Sequence, residues 1–408
     1  MKPWRLAAAG LLSLAAAMGI GRFAFTPLLP MMLADGVLDL PAASWLASAN
    51  YFGYLVGALL CTFQPWIWRR LGSPPPPRPT AMVRGGLATT ALLTLGMALH
   101  LPAAWPVLRF AAGVASAFVF VYTSGWCLAQ LALRGVPQMG ALIYTGPGAG
   151  IILSGLAASG MVALNWTAAS GWLIFGALAT ILAVTVWPAF HAGNEAAAPS
   201  AAAPESAPAT ASQGSRAEMG LLTLGYGLAG FGYIITATFL PVIARQALPG
   251  SAWLDLFWPI FGLGVVLGAM TASRVPARWN RRWLLAACYL VQATGVAASL
   301  VSPTLAGFAL GSLLLGLPFT AITFFAMQEV RRLRPQHAAS SIGLLTAMYG
   351  VGQIVGPPLA AALLARSATP WLGFSRSLEI AAGSLLFGAL MFLWMARRHG
   401  VPASPRSR

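Results

Sequence analysis

Two stretches, GIGRFAFTPLLP at Gly19–Pro30 and GFGYIITATFLP at Gly230–Pro241, align without a gap. Gly19 meets Gly230, Gly21 meets Gly232, Leu29 meets Leu240 and Pro30 meets Pro241. Against that offset of 211, nearly equal offsets of 209 and 210 bring Phe52-Gly53 onto Phe261-Gly262 and Gly146-Pro147 onto Gly356-Pro357. Glycine and proline are frequent in membrane helices, so one such match means little; a closely shared offset across three pairs of apolar runs points to an internal duplication. Parallel repeats of this kind build secondary transporters, with the substrate site near the bilayer midplane between the repeats.

The composition places those runs in a membrane. Hydrophobic residues make up 58% of the 408 and charged residues only 8%, against about 25% charged in soluble domains. Apolar runs of roughly 20 residues predict twelve spans, over 5–33, 43–65, 80–100, 103–131, 137–163, 168–190, 219–245, 252–273, 282–301, 304–330, 338–365 and 373–396. This predicts an all-α integral membrane protein of twelve transmembrane helices in two six-helix halves. The halves are 1–190 and 219–398, joined by a disordered cytoplasmic linker over 191–218 and followed by a cytoplasmic tail at 399–408. The linker contains AAAPSAAAPESAPATASQ, which lacks the large apolar side chains that packing needs.

The net charge of +16 invites a nucleic-acid reading, but its distribution excludes one. With the N-terminus inside, 19 of the 24 basic residues fall on cytoplasmic segments and only Arg245, Arg366 and Arg376 on outer loops. That is the positive-inside asymmetry of an inner-membrane protein with both termini cytoplasmic, with attraction to membrane lipids as a side effect. The start, MKPWRLAAAGLLSLAAA, also has the features of a cleavable signal. Its apolar run continues past Ala17, and cleavage would break the six-plus-six symmetry. Cys61, Cys127 and Cys288 lie in apolar runs with neither metal-ligand nor disulfide spacing. No metal, no cofactor and no catalytic residue is expected.

Twelve spans, a long central loop and these motifs resemble the major facilitator superfamily over essentially the whole chain. Arg109-Phe-Ala-Ala-Gly113 resembles its R-x-x-x-G arginine motif, and Gly146-Pro147-Gly148-Ala149-Gly150 its glycine-proline motif. The loop QPWIWRRLGSPPPPRP departs from the family's G-x-x-x-D-R-x-G-R-R gating motif: the aspartate is absent, and Arg69, Arg70 and Gly72 are its remnants. GIGRFAFTPLLPMM resembles the first-span signature of the YbfB/YjiJ-type branch. The resemblance implies a secondary transporter working by alternating access, its first and fourth helices lining a central cavity.

Arg22 and Arg109 are the two basic residues left within spans. An arginine at a span centre costs about 2.5–3.5 kcal/mol on insertion scales, so each needs a reason. Counting residues puts both in the outer half, Arg22 roughly 17 residues into its helix and Arg109 roughly 6 into one running the other way. Two guanidinium forks at one depth suit a carboxylate, phosphate or sulfonate. Alternatively each bonds backbone carbonyls and fixes packing only. The eight acids supply no counter-ion: Asp35, at 13 residues from Arg22, is too far along a helix, and only Glu329 is embedded, as a coupling or gating candidate or as a salt-bridge partner of Arg331, Arg332 or Arg334. Substrate contacts are expected from Arg22, Arg109, Tyr233, Tyr51, Tyr349 and Gln353, with Tyr233 placed opposite Arg22 by the repeat. Gly146, Pro147, Gly356 and Pro357 are expected to bend the fifth and eleventh helices for gating. The predicted activity is transport of a small organic anion or amphipathic metabolite by a monomer. The alternatives are efflux of neutral or hydrophobic compounds with both arginines structural, a membrane-embedded transferase, for which clustered acids, bases or metal ligands are lacking, and a sensor, for which no signalling domain is evident.

Overall fold

A computed structural model describes residues 1–72, 78–191, 216–251, 253–276, 278–334 and 338–398. Residues 192–215 of the expected linker, the prolines after Ser73 and the expected tail at 399–408 lie outside the described residues. In hydrocarbon every backbone N–H and C=O must be satisfied within its own segment, so apolar runs of this length fold as helices. Among the described residues twelve long helices form, α1 (Pro3–Ala34), α2 (Leu40–Leu71), α3 (Pro79–Gly96), α4 (Trp105–Leu133), α5 (Gly146–Ala163), α6 (Ala168–Val186), α7 (Arg216–Ala247), α8 (Phe257–Ala272), α9 (Arg281–Val301), α10 (Leu305–Leu333), α11 (Ala338–Ala365) and α12 (Pro370–Arg398).

Short polar signals start them. The side chains of Asp39, Thr167, Asn280 and Thr304 each accept a backbone N–H in the first turn of α2, α6, α9 and α10, which satisfies donors that a helix start leaves free. Eleven of the twelve helices are long and apolar enough to cross a bilayer. The exception is α3, the span expected over 80–100, which carries Arg84 and four threonines in 18 residues. Thr90 and Thr94 return their hydroxyls to the carbonyls of Gly86 and Thr90, and α3 packs between α4 and α6. The expected linker also ends sooner than 218: α7 begins at Arg216, and Glu218 is buried within it. An ion pair described below accounts for that earlier start.

The halves meet along α2 with α11, along α5 with α8, and where the outer part of α1 lies on α7. Small residues set the spacing, as in membrane bundles generally. A Cβ on Gly113 would sit 2.1 Å from the Asn50 carbonyl oxygen, and one on Gly53 would sit 1.9 Å from that of Phe110. The α2–α4 contact is therefore backbone on backbone, and Asn50 Nδ2 pins it by donating to the Arg109 carbonyl at 2.8 Å. This fixes the height of Arg109. The repeat holds in part of this packing only. Gly19 and Gly230 both lie against the fifth helix of their own half, at Gly150 and at Tyr349. Gly53 approaches α4 within its half, whereas Gly262 faces Gly148 and Ile151 across the interface.

This contact predicts a contrast between two glycine substitutions. Gly113→Ala should lower the thermal unfolding midpoint of the purified protein. Gly160→Ala, in open space on α5, should leave it unchanged or raise it by up to about 1 kcal/mol of helix propensity. Equal effects would contradict the packing described.

Candidate functional site

The first helix is not continuous. After Leu14 it widens over Ala15–Arg22 into a π-helical stretch, in which Phe23 N–H reaches Met18 O at 3.1 Å. Thr26 N–H then bonds Phe23 O, and Pro27 has no N–H to return. The carbonyls of Gly21 and Arg22 are left to other donors. Arg109 supplies them: Nη1 donates to Gly21 O at 3.2 Å and Nη2 to Arg22 O at 2.9 Å. Its guanidinium also lies 5.1 Å from the Phe25 ring and 5.9 Å from that of Trp172. The expectation of Arg109 as an anion contact changes accordingly. Both terminal nitrogens are spent on backbone, because the break in α1 needs two donors and Arg109 is held level with it by Asn50.

Arg22 leaves that break pointing into the interface between the halves, with 3% of its surface exposed. Its Nη2 donates to Gln353 Oε1 on α11 at 2.7 Å. Gln353 Nε2 in turn donates to Tyr233 Oη on α7. Rings enclose the guanidinium, with Tyr54 centred 3.9 Å from Cζ, Tyr51 5.5 Å and Phe23 5.4 Å. Behind them Tyr233 stacks on Tyr349 at 5.9 Å, and Phe319 meets Tyr233 edge-on at 5.0 Å. Arg22 makes no ion pair among the described residues. Asp35 caps Ala168 N–H at 2.7 Å instead, as its distance along α1 requires. The Nε of Arg22 has no hydrogen-bond partner although it is buried.

Five of the six residues expected at the substrate site, Arg22, Tyr233, Tyr51, Tyr349 and Gln353, thus come together. Tyr51 reaches across the interface, its hydroxyl 2.8 Å from Thr238 Oγ1. Nearby Thr26 Oγ1 donates to Ala237 O at 2.8 Å and Ser48 Oγ to Ile354 O at 3.0 Å. Thr26, Ser48 and Thr238 were not expected: single hydroxyls in apolar runs carry no periodic signal. A separate cavity of about 480 Å³, lined by Met32, Asp35, His100, Trp105 and Trp172 among others, does not include Arg22.

The expected gating residues lie elsewhere. Gly146 and Pro147 begin α5 after a break at Tyr144–Thr145, and a Cβ on Gly146 would sit 2.3 Å from Leu11 O of α1. Gly356 lies against Ile234 of α7, and Pro357 is inside α11. Gly146 and Gly356 therefore pack within their own half, whereas Gly148 of the first motif makes the contact with Gly262 across it. Glu329, 1% exposed, is locked in a charge cluster near the ends of α9, α10 and α12 that lie on the side of the termini. It takes Arg282 Nε at 2.7 Å and Arg332 Nη2 at 2.6 Å, and Arg282 Nη2 reaches Glu218 at 2.8 Å. Of the three arginines expected beside it only Arg332 pairs with it in these contacts, and Arg282 was missed because the apolar count put it at a span edge.

Over residues 14–393 the chain matches a family profile described as uncharacterised MFS-type transporter YbfB. No curated protein sequence matches it. Among solved structures it resembles a mutant form of nucleoside transporter NupG, with a TM-score of 0.71 at 15% identity, covering 96% of this chain and 99% of that one. It also resembles a D-xylose-proton symporter, with a TM-score of 0.69 at 13% identity, covering 95% and 97%. At such identities the likeness shows the fold alone.

Two substitutions separate structural from functional roles. Arg109→Met should lower the unfolding midpoint, since two buried carbonyls lose their partners at about 1–3 kcal/mol each, while any anion-dependent stabilisation persists; the reverse pattern would make Arg109 a ligand contact. Glu329→Ala should cost about 3–5 kcal/mol, the scale for breaking a buried ion pair, read as lost folded yield. A variant that folds normally but no longer transports would instead mark Glu329 as a coupling group.

Proposed function

The chain belongs to the YbfB-type family of MFS transporters, membrane transporters rather than enzymes, and on that premise we propose that it carries a small organic anion bound at Arg22. The observation that supports this reading is a buried guanidinium with no acidic partner among the described residues and an unpartnered Nε. A buried cation without a counter-ion is expensive, and an anion arriving in the site offsets that cost. Rings of Tyr51, Tyr54 and Phe23 around it suit a substrate with an apolar body.

Transport is by alternating access of two halves, residues 1–190 and 216–398, around this site. Four hydrogen bonds between described side chains of one half and groups of the other, from Arg22, Thr26, Ser48 and Tyr51, lie at the level of Arg22 or beyond it, away from the termini. They close that end in this conformation. The opposite end, which carries the termini, is the one whose basic residues point to the cytoplasm of a bacterial inner membrane. The protein acts as a monomer in contact with lipid.

The competing reading is export of neutral compounds with Arg22 structural. In proteoliposomes loaded with a radiolabelled organic-anion panel, Arg22→Gln should abolish anion counterflow while the protein still folds. Counterflow that survives the substitution would favour the competing reading.

A further inference from the structure

The way Gln353 sits on Arg22 narrows the substrate class. A guanidinium presents Nε–H and one Nη2–H as a parallel pair along one edge, matched to the two oxygens of a carboxylate. On this edge Nη2 is taken by Gln353 Oε1 at 2.7 Å, and Nε has no partner. A side-chain amide has the planar shape of a carboxylate but only one acceptor oxygen, so it fills half of the fork and strands the other half. The stranded donor is buried on a side chain that is 3% exposed. Nothing in the fold requires that arrangement, since the amide oxygen that holds the Arg22 side chain comes from the opposite half.

We propose that Gln353 is a displaceable stand-in for substrate, and that the transported anion is a carboxylate which takes its place on the Nε–Nη2 edge of Arg22. This rests on the reading of Arg22 as the anion contact. Displacement has two consequences. The amide of Gln353 and the hydroxyl of Tyr233, bonded to each other in this arrangement, become free to bond the incoming group. The link between Arg22 of the first half and α11 of the second also breaks, so that occupancy of the site is felt at the interface along which the halves move. A ligand shifts such an equilibrium only through its different affinity for the two arrangements, and here that difference is the exchange of an amide for a carboxylate. A tetrahedral phosphonate or sulfonate can also bond this edge, but its third oxygen has no counterpart in the planar amide it would replace.

The test uses the full chain in detergent, followed by thermal unfolding, with acetate, benzoate and succinate as carboxylate probes. Benzenesulfonate, phenylphosphonate and neutral benzamide serve as comparisons. In the native protein at least one carboxylate should raise the midpoint, and benzamide should not. Gln353→Glu supplies both oxygens from within: its midpoint without ligand should rise, and its apparent carboxylate affinity should fall by at least about tenfold, as for a site already filled by a charge partner. Gln353→Ala, which removes the competitor, should show a lower midpoint without ligand yet keep or strengthen the carboxylate response. The proposal is overturned if Gln353→Glu responds like the native protein, or if both variants are destabilised alike. It is also overturned if the sulfonate or phosphonate outperforms benzoate, or if no carboxylate acts on the native protein. A response that survives Arg22→Gln removes the anion reading itself. One that needs Arg22 but ignores residue 353 removes only the stand-in.

Discussion

A guanidinium buried inside a membrane protein with no acidic side chain paired to it among the described residues is the constraint around which this molecule is arranged. Among the described residues three arginines are buried, and each is treated differently. Arg282 pairs with Glu218 and Glu329, and Arg332 balances the second carboxylate, a cluster of two cations and two anions. Arg109 spends its terminal nitrogens on the carbonyls of Gly21 and Arg22, which the break in α1 would otherwise strand. Arg22 receives one amide oxygen and a cage of rings. Neutral acceptors and aromatic faces soften the cost of burial but leave the charge in place. In the transport proposed above, such a site between the two halves is the means of attracting and holding an anion.

The break in the first helix makes this possible. A regular helix would return the Gly21 and Arg22 carbonyls to its own N–H groups and leave Arg109 nothing to hold. The π-helical stretch and the tight turn in which Thr26 N–H bonds Phe23 O free those carbonyls, Arg109 secures them, and Asn50 secures Arg109 by donating to the Arg109 carbonyl. The close approach of α2 and α4 at Gly53 and Gly113 sets the register of that chain of contacts. Position at the site thus descends from backbone contacts among small residues, the least deformable kind available in a bilayer.

Much of this is legible in the sequence because it depends on run length and residue size. Apolar runs place the helices, and the alignment of GIGRFAFTPLLP with GFGYIITATFLP puts Arg22 and Tyr233 at matching positions; the structure joins them through Gln353. What the sequence hides is direction. The R-x-x-x-G motif marks Arg109 as important without saying that its fork faces backbone, since a π-helical turn leaves no signature in composition. Glu218 looks like the edge of a low-complexity linker and becomes a buried ion-pair partner only when α9 brings Arg282 to it. The glycine-proline motifs likewise announce close packing without naming the partner helix, which lies within each half for Gly146 and Gly356 and across the interface for Gly148.

The most direct test of the central claim is a cryo-electron microscopy structure of the protein with a transported anion bound. The anionic group is expected within hydrogen-bonding distance of Arg22, with Arg109 still on the Gly21 and Arg22 carbonyls. Substrate density away from Arg22, with the bond from Arg22 to Gln353 intact, would contradict it.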